Sequence, residues 1–386
     1  MLDLASRNAT LADAVAMLNL QQEAKRDAVV PAEAIRSVGG TLLVRGMGPN
    51  GPDGEPAMLQ PTAIMDGQIA EKLGIPTAYL RRLRTERPDL LDANVNGWLQ
   101  GIPNDDQPLD PVVAPDSRSF LIRSFTDPDG GLGVGRALLS PSYSAIDNLD
   151  MTTAVFAGIR EAGFGPEDLE IRGCDVTEQR MVVKIAAPQI AAMAPALLAG
   201  YRSPFSGAEG ADNPTVFAGL VFTNSETGGG AYSVIPRLEV QVCTNGMVIK
   251  KDAMREVHLG SRLEEGVVRW SRETGQRSLD LIAAKTRDAV VTYLDADYVQ
   301  AQIRLLEAKA GQPVTDAVKA VELVSSALRF SEEVRAGVLD HFIKGGQTTR
   351  GGLFQAVTSY AQVVEDPDVA WDLELSALSV LDLAAA

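Results

Sequence analysis

Six runs between residues 119 and 242 (119–124, 132–140, 169–176, 180–185, 215–224 and 231–242) have strand character, and each is bounded by Gly, Pro, Asn or Asp. One helical pattern, 150–162, interrupts them, and from residue 279 onward the apolar spacing turns helical. Strands grouped in the middle and helices grouped at the end exclude a regular alternation of strand and helix. They predict an α+β fold, with a central, mostly antiparallel sheet, an N-terminal helical region and a C-terminal helical subdomain.

Before the strand-rich stretch, Thr10 caps a pattern in which Leu11, Ala14, Val15 and Leu18 recur at helical spacing, fading near Asp27. The run 41–45 reads as a strand, and 46–56, with four glycines and three prolines, as a loop. A helix over 65–83 is broken at Gly74-Ile75-Pro76 into a corner, and Pro88 opens another through Trp98. The aperiodic, Pro- and Asp-rich segment 101–117 sets the first boundary, giving an N-terminal α/β region with a helical corner (1–117), a central α+β core (118–277) and a helical subdomain (278–386). Within the last, Val314, Val318, Val321 and Val324 form one stripe; Val334, Val338, Leu339 and Phe342 form another between a Ser331 cap and a Lys344-Gly345-Gly346 stop.

A chain of 386 residues, 45% apolar and 22% charged, is long enough for a sizeable core. Its longest apolar stretches, such as 185–198 with Pro188 and Pro195 inside, fall short of a bilayer crossing, which takes about 20 residues. The N-terminus lacks the basic start and apolar core of a signal peptide, so a cytoplasmic location without a membrane partner is expected. Cys174 and Cys243 are expected as reduced, buried thiols, and with only His258 and His341 beside them no zinc spacing is recognisable. No cofactor is expected. A net charge of −16 opposes bulk polyanions and membrane surfaces but leaves room for a local basic groove.

Three segments carry a family resemblance: Arg136-Ala-Leu-Leu-Ser140-Pro-Ser-Tyr143-Ser-Ala-Ile146-Asp147-Asn148, then Phe222-Thr-Asn224-Ser225-Glu226, then Leu238-Glu-Val-Gln-Val-Cys243-Thr244-Asn245-Gly246-Met247. With 68–83, around its Leu-Gly-Ile-Pro-Thr-Ala-Tyr core, and 349–364, they resemble the domain-of-unknown-function 932 family of phage and plasmid proteins over most of the chain. The resemblance implies a mobile-element context, often beside genes of DNA recombination and replication. It implies no mechanism.

The same segments supply candidate sites. In Asn224-Ser225-Glu226-Thr227-Gly228-Gly229-Gly230, the glycines suit either amides that receive a phosphate or base edge, or a plain hairpin turn in which Asn224 and Ser225 bond their own backbone. Asn245-Gly246 is a turn signal that puts Asn245 in a left-handed or cap position, and a Cys243–His258 nucleophilic pair is the less economical alternative. Lys250, Lys251, Arg255 and Arg262 form the clearest local cationic excess, with Arg237 on the preceding strand; the plain alternative is a solvated face. Arg81, Arg82, Arg84 and Arg87 invite the same two readings, with Glu86 and Asp89 among them. Tyr143 and Asp147 suit a polar site or a tyrosine capped by a local carboxylate. The acid pairs Asp105-Asp106, Glu264-Glu265 and Glu332-Glu333 belong to loops or helix starts, and His341, at a helix end that favours a cation, reads as structural.

With no catalytic set recognised, a non-enzymatic role is expected. The first expectation is a DNA-handling protein, a single-strand binding, annealing or recombination accessory factor, with single-stranded DNA held by Arg237, Lys250, Lys251 and Arg255 and by Asn224, Ser225 and Asn245. The alternative is an acidic interaction factor that binds a host or phage protein, or a homo-oligomer. A hydrolase or transferase built on a carboxylate-bound metal stands third, and would need three or more central Asp and Glu to converge.

Overall fold

The computed structural model describes residues 4–48, 54–102, 113–127, 131–143, 146–256 and 271–383. The chain opens with β1 (Ser6–Ala9), α1 (Leu11–Ala24), β2 (Lys25–Pro31), β3 (Ile35–Val38), β4 (Thr41–Val44) and β5 (Ala57–Pro61). Helices α2 (Ala63–Leu73), α3 (Thr77–Glu86) and α4 (Pro88–Gln100) precede β6 (Ser119–Phe125), β7 (Gly133–Leu139) and α5 (Asn148–Glu161). Then come β8 (Glu170–Val176), β9 (Met181–Met193), the one-turn α6 (Pro195–Leu198), β10 (Thr215–Asn224), β11 (Tyr232–Val240), β12 (Gly246–Val248) and β13 (Met254–Glu256). The described residues from 271 onward are helical: α7 (Arg272–Tyr293), α8 (Ala296–Ala310), α9 (Ala317–Leu328), α10 (Glu332–Gly345), α11 (Arg350–Ala361) and α12 (Pro367–Leu383). The α+β expectation therefore holds.

Side-chain oxygens at Thr10, Thr62, Ser271, Asp295, Asp316, Ser331 and Thr349 accept the N–H of the third residue on, each closing a helix start at a gain of about 1 kcal/mol. Gly74, at φ 67°, closes α2 and makes the corner expected there. Boundaries differ from expectation at two elements in particular: β9 runs on to Met193 rather than ending at 185, and α1 ends early. α1 stops at Ala24 instead of fading near Asp27, because Lys25 to Pro31 pair residue by residue with Phe125 to Ser119 of β6.

The described strands form two sheets. The larger runs β1-β8-β9-β10-β11-β12, with β13 also on β11, and is antiparallel throughout. The smaller runs β2-β6-β7-β5-β4-β3 and is antiparallel except where β5 meets β7. Since β6 and β7 complete the smaller sheet, the boundary expected at 117 falls within that unit, and the one at 277 falls inside α7.

Alternation places two faces of the larger sheet against two helical layers. Phe222 meets Phe156 of α5 edge-on and Tyr232 bonds Thr286 of α7, whereas Val182, Val221, Ile235 and Val248 pack on Trp371 of α12. The smaller sheet packs Leu42, Leu59 and Ile122 against Met65, Leu80 and Leu91 of α2, α3 and α4 as a separate core. Among the described residues no helix is long and apolar enough to cross a membrane.

Candidate functional site

Of the seven residues expected to bind DNA, four lie inside the protein. Arg237 and Glu239, two apart on β11, point to the same face; both are buried, and Arg237 Nη1 donates to Glu239 Oε2. Arg172 Nε, 2.7 Å from Glu239 Oε1, completes an arginine–carboxylate–arginine cluster, so Arg237 has no path to a surface groove. Asn224 Nδ2 donates to Ile146 O at 2.9 Å and to Asn148 Oδ1 at 2.8 Å. Ser225 Oγ donates to Gln179 O at 2.6 Å and accepts the Gly229 amide at 2.9 Å, so this loop is a turn tied partly to itself and largely to neighbouring segments. Asn245 Nδ2 donates to Tyr201 Oη at 3.0 Å and to Gln355 Oε1 at 2.9 Å, and its Oδ1 accepts from Gln362. With that side chain committed, the left-handed residue of the turn is Thr244, at φ 54°, rather than Asn245.

Lys250 and Lys251, in a one-turn 3-10 helix after β12, and Arg255, on β13, are exposed. They border two adjoining grooves. The first, about 310 Å³, has Lys250, Lys251 and Lys309 around leucines 305, 306, 375, 378 and 381. The second, about 670 Å³, brings Arg255 and Lys285 beside Met254, Tyr293 and Tyr298. The Asp252 carboxylate accepts from Tyr298 Oη at 2.8 Å and Gln302 Nε2 at 3.1 Å; Gln302 lines one groove and Tyr298 the other, so these bonds form the shared wall. Burial and that carboxylate together push the Tyr298 hydroxyl well above its ordinary range. The lining carboxylates are committed too: Asp382 to Lys309 at 2.6 Å, and Asp288 to Arg287 at 2.8 Å. Lys285, Lys309 and the tyrosines escaped sequence reasoning because α7 and α8 bring them in from afar, with no local signal.

A second convergence joins the motifs that carry the family resemblance. Arg123, on β6 and 1% exposed, donates to Asp27 at 2.9 Å, Asp147 at 2.5 Å and Glu226 O at 2.7 Å. Lys25 also meets Asp147, while Arg136 meets Glu226, whose other oxygen accepts the Asn148 amide. Gln68 of α2 bridges Leu138 N at 2.8 Å and Thr227 O at 2.7 Å. Burial opposes the Arg123 charge, yet Asp27, Glu226 and Asp147 outweigh it and hold the guanidinium's pKa up. Burial likewise pushes Asp147 up, but Arg123 and Lys25 prevail and hold it below the usual carboxylate range. Two central acids, Asp147 and Glu226, gather here with Asp27, but around guanidinium groups, and among the described residues no three acids, histidines or cysteines are placed to share a metal ion, which the metal-enzyme reading requires.

Among the described residues, the remaining candidates are engaged within the protein. Arg82 pairs with Glu86, Arg84 with Asp66 and Arg87 with Asp89. Tyr143 is not capped by Asp147; its hydroxyl donates to Ser225 O at 3.4 Å. Cys174 and Cys243 are buried thiols, each pushed up to about 11 by burial. His258, Arg262, Asp105-Asp106 and Glu264-Glu265 lie outside the described residues. His341 is a buried structural residue: its Nδ1 shares a hydrogen bond with Ser359 Oγ at 2.8 Å, and burial lowers its pKa. Set against protein-family models, curated proteins and solved structures, the chain matches none.

Proposed function

We propose that this chain is a non-catalytic, single-strand nucleic-acid-handling protein of the phage and plasmid kind, working through the cation row Lys309, Lys250, Lys251, Arg255 and Lys285. The observation that carries the reading is the gathering of these five side chains, from four separate elements, around two adjoining grooves in a chain of net charge −16. A polyanion repelled by the body of such a protein gains its contacts only where cations are concentrated. The row spans both grooves, which suits an extended chain. Tyr298, half-buried beside the buried Tyr293 at 5.9 Å between ring centroids, leaves part of one ring open beside Arg255 for a base to pack on. Annealing or protecting a single strand needs backbone contacts and exposed bases, and no reacting group.

The leucine floor of the first groove favours a second reading, in which Lys250, Lys251 and Lys309 receive an acidic amphipathic helix of a partner protein. Fluorescence anisotropy with labelled oligothymidylate, a matching duplex and a Leu/Glu amphipathic peptide, at low and moderate salt, separates the two. Salt-sensitive binding with single-strand preference is expected, together with loss of affinity and a salt slope shallower by about one per lost phosphate contact in the K250E/K251E/R255E variant. Wild-type affinity in that variant, or no strand binding at low salt, overturns the proposal; peptide binding without strand binding supports the second reading.

A further inference from the structure

We propose that the cavity between the C-terminal end of α2, the start of β6 and the segment following β7 is a binding site for a phosphate monoester. The cavity measures about 660 Å³, within the range of small-ligand sites, and opens to solvent. Its polar lining is Lys72, Arg118 and the four serines 117, 119, 140 and 142, with no carboxylate among the lining residues. In so acidic a chain, that composition is selective for an anion.

Of the two cations, Arg118 is fixed in place. Arg118 Nη2 donates to the Lys72 carbonyl at 2.9 Å and ties the end of α2 to the start of β6. Its Nε and Nη2 edge is held by Asp116 at 2.9 and 2.6 Å, while the guanidinium lies over the Phe120 ring, 5.2 Å from its centroid. Asp116 offsets one of the two positive charges, so the lining keeps the equivalent of one. Among the described residues neither Lys72 Nζ nor Arg118 Nη1 has a hydrogen-bond partner, which leaves both available to a ligand.

The hydroxyls set the ligand class. Ser140 and Ser142 Oγ are 2.9 Å apart, a bond in which only one proton is used, so the other hydroxyl still has a proton to donate. Ser117 and Ser119 face the same space from the β6 side. An ammonium, the free Nη1 of a guanidinium and several hydroxyls outnumber what a carboxylate accepts and suit the three terminal oxygens of a phosphate monoester. Val29, 46% exposed, and Phe120 give an apolar wall for the body that bears the phosphate. That body belongs either to a free metabolite or to the 5′ end of a nucleic-acid strand.

Titration calorimetry with thymidine 5′-monophosphate, thymidine and inorganic phosphate tests the site. The monophosphate should bind and thymidine should not, with affinity about tenfold lower in Lys72→Gln and in Ser142→Ala. Lys72 and Ser142 take no part in either core, so both variants should keep the wild-type unfolding midpoint. Undetectable monophosphate binding, equal binding of thymidine, or unchanged affinity in both variants overturns the proposal. Repeating the comparison in K250E/K251E/R255E with 5′-phosphorylated and unphosphorylated oligothymidylate identifies the source: preference for the phosphorylated strand assigns the phosphate to a strand end, and equal affinity with retained monophosphate binding assigns it to a free monoester.

Discussion

A histidine on a helix ending in Lys344 and Gly345 stands where a positive charge is favoured, but at His341 burial decides otherwise. Its ring packs edge-on to Phe205 and Tyr360, at 5.8 and 5.5 Å between centroids, and its Nδ1 is engaged by Ser359. Desolvation lowers its pKa from 6.5; Asp340 opposes that shift and Lys344 adds to it. A group whose folded pKa is depressed contributes stability above its unfolded pKa and loses it as the pH falls. The window here opens at pH 6.5 and extends downward, with a slope of at most about 1.4 kcal/mol per pH unit. Wild-type stability to urea should therefore fall as the pH drops below about 6.5, and His341→Gln should flatten the decline. With two histidines in the chain, imidazole NMR reads the same titration directly. One ring titrating below 6.5 is expected, and an ordinary value for both would show that His341 is not held neutral. Arg237 carries a similar lesson, with a signal that was present: an Arg two residues before a Glu on a strand places both on one face, which predicts a pair before it predicts a ligand site.

Helices were legible because their signals are local. Thr10, Ser331 and the Gly74-Ile75-Pro76 corner act within a turn of where they stand, and the structure uses each as expected. Strand partners were not legible. β1 finds β8, and Asp175 ties both Arg7 and the Asn8 amide, through contacts that no short window contains. The same holds between helices: α5 crosses α7 at Gly158, where an added Cβ would lie 2.3 Å from Ala283 O and 2.8 Å from Thr286 Cβ. Backbone cannot yield as a flexible side chain would, so Gly158→Ala must push α7 off the sheet. Although alanine favours a helix over glycine by about 1 kcal/mol, overpacking should dominate and leave a net loss of about 1–3 kcal/mol. Urea unfolding measures it, and an unchanged or raised midpoint would mean that the crossing relaxes at no cost. Gly275, near the start of α7 with open space around its Cβ position, is the control, since alanine there should stabilise slightly.

At the scale of the molecule, the two sheets keep separate apolar cores and meet through charge. The smaller sheet offers Lys25, Asp27, Arg123 and Arg136; the turn after β10 and the start of α5 offer Glu226, Asp147 and Asn148. A buried guanidinium with three acidic partners contributes little net stability compared with apolar packing, yet removing it leaves carboxylates without their cation at a cost of about 3–5 kcal/mol. That cost falls on the junction and on neither core. Arg123→Met, which keeps most of the side-chain volume, should therefore lower the smaller sheet's transition more than the larger's and split one calorimetric peak into two. Acid should act in the same direction. Asp147 is held below its usual value of 3.8, so its contribution is present above that pH and fades as the pH falls through the lowered value. Below about pH 4 the wild type should begin to resemble the variant. A single peak in Arg123→Met, displaced but with calorimetric and van't Hoff enthalpies still equal, would mean that the sheets unfold as one unit by some other coupling.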